Sequence, residues 1–337
     1  MGKKDIRFDR VVAEELVHSL RPGEAMRPLI DFRNERQDIF DVQFRRPSGR
    51  ISRASLYAGL TRPLDVDARI IGSKKPEFRF FVAHRTHRDV AIRFGYERWS
   101  WQPLEELAAR WSEVSQYLAE REKWFQEESA AAHHVIEGRV HAAMCRDTVT
   151  EYRAINREAS PSFRDEATKA RICGRIRDEM RRVLDAVPKK DRWLRYREFG
   201  TSPDILAVDD SGRLIVAEAK PFSYTSGISK GPIQVRYYAG LLSRWLELDP
   251  EAPVNLHRML EQRIEAGLTS GPLVAFDPQV SVVPVLAIGV GVASSVAVEH
   301  AIALRDALAQ LDPAEAGKTA PTEIWRLGTD GNVNERI

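Results

Sequence analysis

The stretch "SPDILAVDDSGRLIVAEAK", Ser202 to Lys220, sets two short apolar runs on either side of a polar turn. The runs are strand-like, and "DDSG" between them predicts a hairpin. A tight turn brings the far ends of its two strands together, and strand side chains alternate between faces. Asp204 opens the incoming strand, and Glu218 to Lys220 close the outgoing one. All three charges are therefore expected side by side at one end of the hairpin. Glu218 and Lys220 share a face, and Ala219 points into the other. Two carboxylates converging beside apolar strands make a hard-oxygen site suited to Mg²⁺ or Mn²⁺. A lysine next to them can orient or deprotonate an attacking water, or stabilise charge developing on a phosphate.

Upstream, "SPSFRDEATKARICGRIRDEMRRVLDAVPKK" predicts a helix, with Ser160 or Ser162 near its start and Pro188 beyond its end. Its apolar stripe is Ile172, Ile176, Met180, Val183 and Val187. "RWLRYREFG" then reads as a strand leading into the hairpin. Downstream come a helix in "SKGPIQVRYYAGLLSRWLEL", a buried strand in "SVVPVLAIGVGV", a helix over 294–311 and an edge strand in "EIWRLGTDG". The order helix, three strands, helix, strand describes an α/β fold with a mixed sheet.

The first hundred residues are different in kind. "DIFDVQFRR", "DARIIG", "FRFFVAH" and "DVAIRFGYERW" are strand-like, punctuated by "RPSGR", "TRPLD" and "GSKKPE". Beyond them, Leu104, Leu107, Trp111, Val114, Leu118 and Phe125 recur at helical spacing. The expected division is a β-rich α+β domain over 1–100, a helical connector over 101–150 and an α/β domain over 151–337.

Composition sets outer bounds. A chain of 337 residues suits two domains, and 43% hydrophobic with 30% charged residues is ordinary for a folded protein with sizeable cores. The net charge of +2 is nearly balanced, so any basic surface must come from uneven distribution. Two cysteines, Cys145 and Cys173, make neither a disulfide framework nor a four-ligand zinc site, which favours a reducing, cytoplasmic setting. The N-terminus lacks the apolar core of a secretory signal. Only Val280 to Val298 approaches membrane-spanning length without a charge. Pro284, Gly289, Gly291 and Ser294-Ser295 break it into a buried strand and a capped helix, so no membrane segment is expected.

"PD", a hairpin and "EAK" together resemble the signature of the PD-(D/E)XK nuclease superfamily, the restriction-endonuclease-like fold. Its core order, αβββαβ, agrees with the order read above. The resemblance covers about residues 160 to 290 and does not extend before residue 150. It implies Asp204 and Glu218 as ligands of Mg²⁺ or Mn²⁺, with the Ala219 carbonyl as a further ligand, and Lys220 as the catalytic lysine. Many members carry a Gln on the next helix with a Tyr one turn later; "GPIQVRYYAGLL" supplies Gln234 and Tyr238 at that spacing. Some add a Glu from the first core helix, for which Glu179 and Glu166 are the candidates, Glu179 preferred. No other Glu-x-Lys or Asp-x-Lys triplet occurs in the chain. The implied activity is metal-dependent hydrolysis of DNA, of endonuclease type, in genome defence or repair. A homodimer or a partner protein subunit is compatible with it. An inactive nuclease-fold protein that binds nucleic acid, and an RNA-directed nuclease, are the alternatives.

Arginines and lysines gather on the first core helix and after it, among them Arg175, Arg182, Lys189 and Lys190. Such a stripe can meet a phosphate backbone, or it can be a solvated face of i,i+4 pairs. "FRRPSGRISR" gathers Arg45, Arg46, Arg50 and Arg53 around a turn that can probe a nucleic-acid groove. Other motifs are set aside. His84 and His87 make half a zinc site at most. His133, His134 and His141 read as histidines of a helix surface. "GVGVAS" lacks the full dinucleotide-loop pattern. Trp99, Trp101, Trp111 and Trp124 read as packing.

Overall fold

The computed structural model describes residues 4–8, 10–69, 77–82, 102–127, 133–185, 200–276, 282–310 and 319–337. In chain order the strands are β1 (Ile6–Arg7), β2 (Phe40–Ser48), β3 (Ile51–Ala58), β4 (Thr61–Arg69), β5 (Glu77–Val82), β6 (Gln102–Pro103) and β7 (Tyr152–Arg157). They continue with β8 (Ser162–Phe163), β9 (Ile205–Asp209), β10 (Leu214–Lys220), β11 (Val283–Ile288), β12 (Glu323–Leu327) and β13 (Val333–Arg336). The helices are α1 (Glu14–Ser19), α2 (Arg27–Asn34), α3 (Leu104–Ala109), α4 (Trp111–Glu127) and α5 (His133–Met144). After them come α6 (Glu166–Leu184), α7 (Thr225–Leu248), α8 (Ala252–Glu265) and α9 (Ser295–Leu308).

The chain divides into two units. The first holds Met1–Asp9, Val149–His257 and Leu273–Ile337; the second holds Arg10–Thr148 and Arg258–Pro272. The hairpin β9–β10 lies at the centre of the first unit, in a mixed six-stranded sheet of order β13-β12-β11-β10-β9-β7. Strands β9 and β10 pair antiparallel, Leu214 opposite Val208 and Ala217 opposite Ile205. Asp209 closes the turn, its Oδ1 accepting the backbone N–H groups of Ser211 and Arg213, each at 3.0 Å. Strand β11 runs parallel to β10, with Glu218 in register with Leu286 and Lys220 with Ile288.

One face of this sheet is covered by helices. Helix α7 lies so close that a Cβ on Gly231 would fall 2.4 Å from Leu286 Cδ1, which requires glycine there. Ile228, Leu286, Ile288, Ala297, Val298, Ala301 and Ile324 form one buried cluster between α7, α9 and the sheet. The other face carries Ala154, Ala207, Ala217 and Ala287, all buried, and the sheet curls toward it. As a result Tyr152 on edge strand β7 stacks on Trp325 at 5.4 Å, and its hydroxyl donates to Gly331 O at 2.9 Å.

Several expectations need revision. The strand beside β9 is β7, which precedes the helix; the expected strand in "RWLRYREFG" lies outside the described residues apart from Gly200. Helix α6 begins at Glu166, beyond Ser160 and Ser162, and is capped by Asp165, whose Oδ1 accepts the Thr168 N–H at 2.7 Å. Ser294 occupies the N-cap of α9 without a side-chain bond. Strand β12 is internal, since β13 covers its free side.

The second unit is built on a five-stranded sheet, β2-β3-β4-β5-β6, antiparallel throughout. "RPSGR" runs from the end of β2 through the Gly49–Arg50 turn into β3, but "TRPLD" belongs to β4. Pro63 is accommodated because the β3–β4 register shifts between Leu56 and Ala58, a bulge that needs no N–H from the proline. "DVAIRFGYERW" lies outside the described residues. Leu104, Leu107, Val114 and Leu118 are buried in the same core as Phe40, Leu56 and Val66. The stretch expected to connect two domains is thus part of the second unit's core. Among the described residues, no helix is long and apolar enough to cross a membrane.

Candidate active site

The alternation along β10 puts Val216, Glu218 and Lys220 on the face covered by α7. The β9–β10 ladder ends at Ile205 with Ala217, so Asp204 stands one residue before β9, at the end of the hairpin that carries Glu218 and Lys220. Asp204 is fixed at both ends. Its carbonyl accepts the Glu158 N–H at 3.0 Å, and its Oδ2 accepts the Ala219 N–H at 2.9 Å. Glu158 itself adopts a left-handed backbone, φ 48°, which a non-glycine residue rarely does. Glu218 and Lys220 are 2% and 7% exposed, and the Lys220 ammonium binds Glu218 Oε1.

Ala219 links the two strands through its main chain. The N–H and C=O of a strand residue point toward the same neighbour. The Ala219 N–H points to Asp204, so its carbonyl lies on that side too, at the place where β9 has not yet begun to pair. On the opposite side Lys220 O accepts the Gly289 N–H at 2.9 Å. Sequence reasoning thus anticipated the grouping of Asp204, Glu218, Ala219 and Lys220, and the structure adds the bond that clamps Asp204 to β10.

Gln234 and Tyr238 lie one turn apart on α7, and Gln234 Nε2 donates to Tyr238 Oη at 2.9 Å. Burial pushes the Tyr238 hydroxyl above its usual range, and the charge on Glu218 pushes it further. Asp204 acts the same way, whereas the Gln234 bond and Lys220 oppose the shift. Glu218, Asp204 and Lys220 are thus all near enough to act on the charge of this hydroxyl.

The helix acids are engaged elsewhere. Glu179 forms an ion pair with Arg175 at 2.9 Å, and Glu166 lies 3.3 Å from Lys169. Burial lowers the Arg236 guanidinium to about 10, an effect that the Glu179 charge partly offsets. Among the described residues, neither glutamate belongs to a group of three His, Cys, Asp or Glu side chains placed to share a metal ion. Arg175 and Arg182 are exposed on α6, while Lys189 and Lys190 lie outside the described residues.

In the second unit, Arg46 and Arg50 are exposed at the β2–β3 turn. Arg45 stands 5.3 Å over the Tyr57 ring, and Arg53 pairs with Asp67 at 2.6 Å. His141 is 2% exposed within α5, so it is not a surface histidine, and Glu137 lies one turn before it. His133 and His134 show no comparable sequence signal that would have separated His141 from them. His84, His87, Trp99 and Trp101 lie outside the described residues. Trp111 packs edge-on against Phe32 at 6.3 Å, as packing was expected.

No family model, curated protein or solved structure matches the chain.

Proposed function

We propose that the chain is a metal-dependent nuclease that hydrolyses phosphodiester bonds in DNA, its first unit built on a restriction-endonuclease-like core. The observation that carries this reading is that Asp204 is clamped to the Ala219 amide, between Glu218 and Lys220, at one end of the hairpin. The donor set fits a hard divalent cation: two carboxylates and a main-chain carbonyl. Asp204, Glu218 and Ala219 O would hold Mg²⁺ or Mn²⁺. Such an ion supplies Lewis-acid stabilisation of a phosphate and a more acidic water.

The chain's own groups do the rest. Glu218 holds the Lys220 ammonium at the site, where it can bind a phosphate oxygen or take part in proton transfer from the attacking water. The Tyr238 hydroxyl stays protonated and is oriented by Gln234, so it can donate to substrate or solvent. Arg175, Arg182, Lys189, Lys190, Arg45, Arg46 and Arg50 are the proposed phosphate contacts. Endonuclease action, a role in genome defence or repair, and dimerisation rest on the family resemblance alone.

Supercoiled plasmid and a single-stranded oligonucleotide, incubated with Mg²⁺ or Mn²⁺, test the reading. Wild type is expected to cut and Lys220→Ala to cut at least about 100-fold more slowly. Equal cutting by both proteins would overturn it.

One observation favours a second reading, a nuclease-fold protein that binds nucleic acid without cutting. The Glu218–Lys220 ion pair neutralises itself, so Glu218 does not depend on a cation for its charge balance. The two readings part on metal binding, which only the first requires.

A further inference from the structure

Tyr224 stands four residues after Lys220, immediately before α7, and is 38% exposed. Its backbone is fixed: the N–H donates to Pro221 O and the carbonyl accepts from Ile228, both at 2.9 Å. Its ring is fixed as well, because it packs over Gly227, where a Cβ would fall 2.3 Å from it. The ring centroid lies 6.0 Å from Lys220 Nζ.

Further apolar groups lie at the same strand end. The loop from β11 to α9 is bound to the strand end through the Gly289 N–H and Lys220 O, at 2.9 Å. Gly291 of that loop lies against the Phe222 ring, and Val290 and Val292 beyond it are 46% and 93% exposed. A polar, charged site is therefore bordered by an aromatic face and exposed aliphatic groups. A nucleotide has the matching character, an anionic phosphate and a flat base.

We propose that Tyr224 stacks on a base next to the scissile phosphate, so that the site takes single-stranded DNA. This rests on the nuclease reading above. In a duplex the faces of the bases are covered by their neighbours, whereas a single strand offers them to an aromatic platform. The lysine 6.0 Å away receives the phosphate of the same strand.

The test measures binding of a fluorescein-labelled oligo-dT by anisotropy, with the full chain and EDTA present so that no cutting intervenes. An oligonucleotide of the same length with abasic sites serves as the comparison. Tyr224→Leu keeps the bulk and loses the stacking face; Tyr224→Phe keeps both. Tyr224→Leu is expected to weaken oligo-dT binding by about five-fold or more, with Tyr224→Phe near wild type and all three proteins alike on the abasic strand. Equal binding of oligo-dT by wild type and Tyr224→Leu would overturn the stacking role, as would an equal loss on both strands. If wild type binds no oligonucleotide, the single-strand proposal falls, and cutting of the supercoiled plasmid still decides the nuclease reading. If the stacking results hold and Lys220→Ala cuts as fast as wild type, the nuclease reading falls alone.

Discussion

Asp204 Oδ2 accepts the backbone N–H of Ala219 at 2.9 Å, across the mouth of the hairpin whose last ladder pair is Ile205 with Ala217. The bond extends the strand pairing by one step through a side chain. It also holds a second carboxylate at the strand end that carries the Glu218–Lys220 pair.

That placement yields the first prediction. Mg²⁺ or Mn²⁺ is expected to raise the melting temperature of the wild type, because a ligand at 100 times its Kd adds about 2.7 kcal/mol to stability. Asp204→Ala removes a ligand, so the metal-dependent rise should disappear while the metal-free protein stays folded. Thermal melts with and without the ion decide it. A wild-type melting temperature indifferent to both metals would favour the reading in which the chain binds nucleic acid without cutting.

The Glu218–Lys220 pair is buried at 3% and 9% side-chain exposure, so the two members are not separable. Lys220→Met leaves an uncompensated buried carboxylate and is expected to cost about 3–5 kcal/mol. The double variant with Glu218→Gln should recover most of that stability without recovering any cutting. Urea unfolding of the two single variants and the double variant measures the coupling. Additive losses would mean that the ammonium and the carboxylate do not depend on each other.

Much of this site was legible because it follows from alternation and turn chemistry. "DILAV", "DDSG" and "RLIVAEAK" specify a hairpin, and the hairpin alone brings Asp204 to Glu218. The Gln234–Tyr238 bond was legible for a similar reason, since residues four apart share a helix face. The Asp204–Ala219 bond was not, because a side chain reaching a main-chain N–H leaves no periodic trace. Strand β7 was also hidden. Its residues "YRAINR" are almost all buried, Asn156 and Arg157 included, so polar and apolar positions do not alternate. Pro63 misled in the opposite direction, because proline marks strand ends except at bulges. The helical spacing from Leu104 to Leu118 was clear, but spacing does not say which core a helix joins.

In the second unit, Asp41 lies fully buried between two guanidiniums, Arg33 and Arg263, each with a nitrogen 3.6 Å from its Oδ1. Burial lowers the Arg33 guanidinium, and Asp41 is the largest influence opposing that shift. Asp41→Ala would leave two buried cations without this counter-charge, and the expected loss is about 3–5 kcal/mol. Chemical denaturation would show it as a fall in midpoint. An unchanged midpoint would mean that water or other groups take over the role of the carboxylate.

At the start of α6, the Asp165 carboxyl is lowered to about 2, first by the Thr168 backbone N–H and then by the Thr168 side chain and Arg164. A depressed folded-state pKa contributes stability that is fully present above the unfolded value, about 3.9, and is lost as pH falls through the folded one. Wild type should therefore melt above Asp165→Ala by a constant margin from pH 5 upward. The margin should narrow between about 4 and 2. A margin that does not change over that range would show that the cap acts through a neutral hydrogen bond.

Tyr238 gives the opposite sign. Burial and then the Glu218 charge raise its hydroxyl, so the neutral form is the one the fold favours. Stability from a raised group is complete below the unfolded value, about 10 for tyrosine, and is lost as pH rises through the folded value. Tyr238→Phe should consequently cost a similar amount at pH 7 and pH 9, about 1 kcal/mol for one hydrogen bond with Gln234. The advantage of the wild type should shrink only above pH 10. Cutting rates of the two proteins should keep a constant ratio from pH 6 to 10, because no proton leaves the hydroxyl in that range. A ratio that changes near neutral pH would identify Tyr238 as a titrating participant and would remove the assignment of its hydroxyl as a fixed donor beside Glu218.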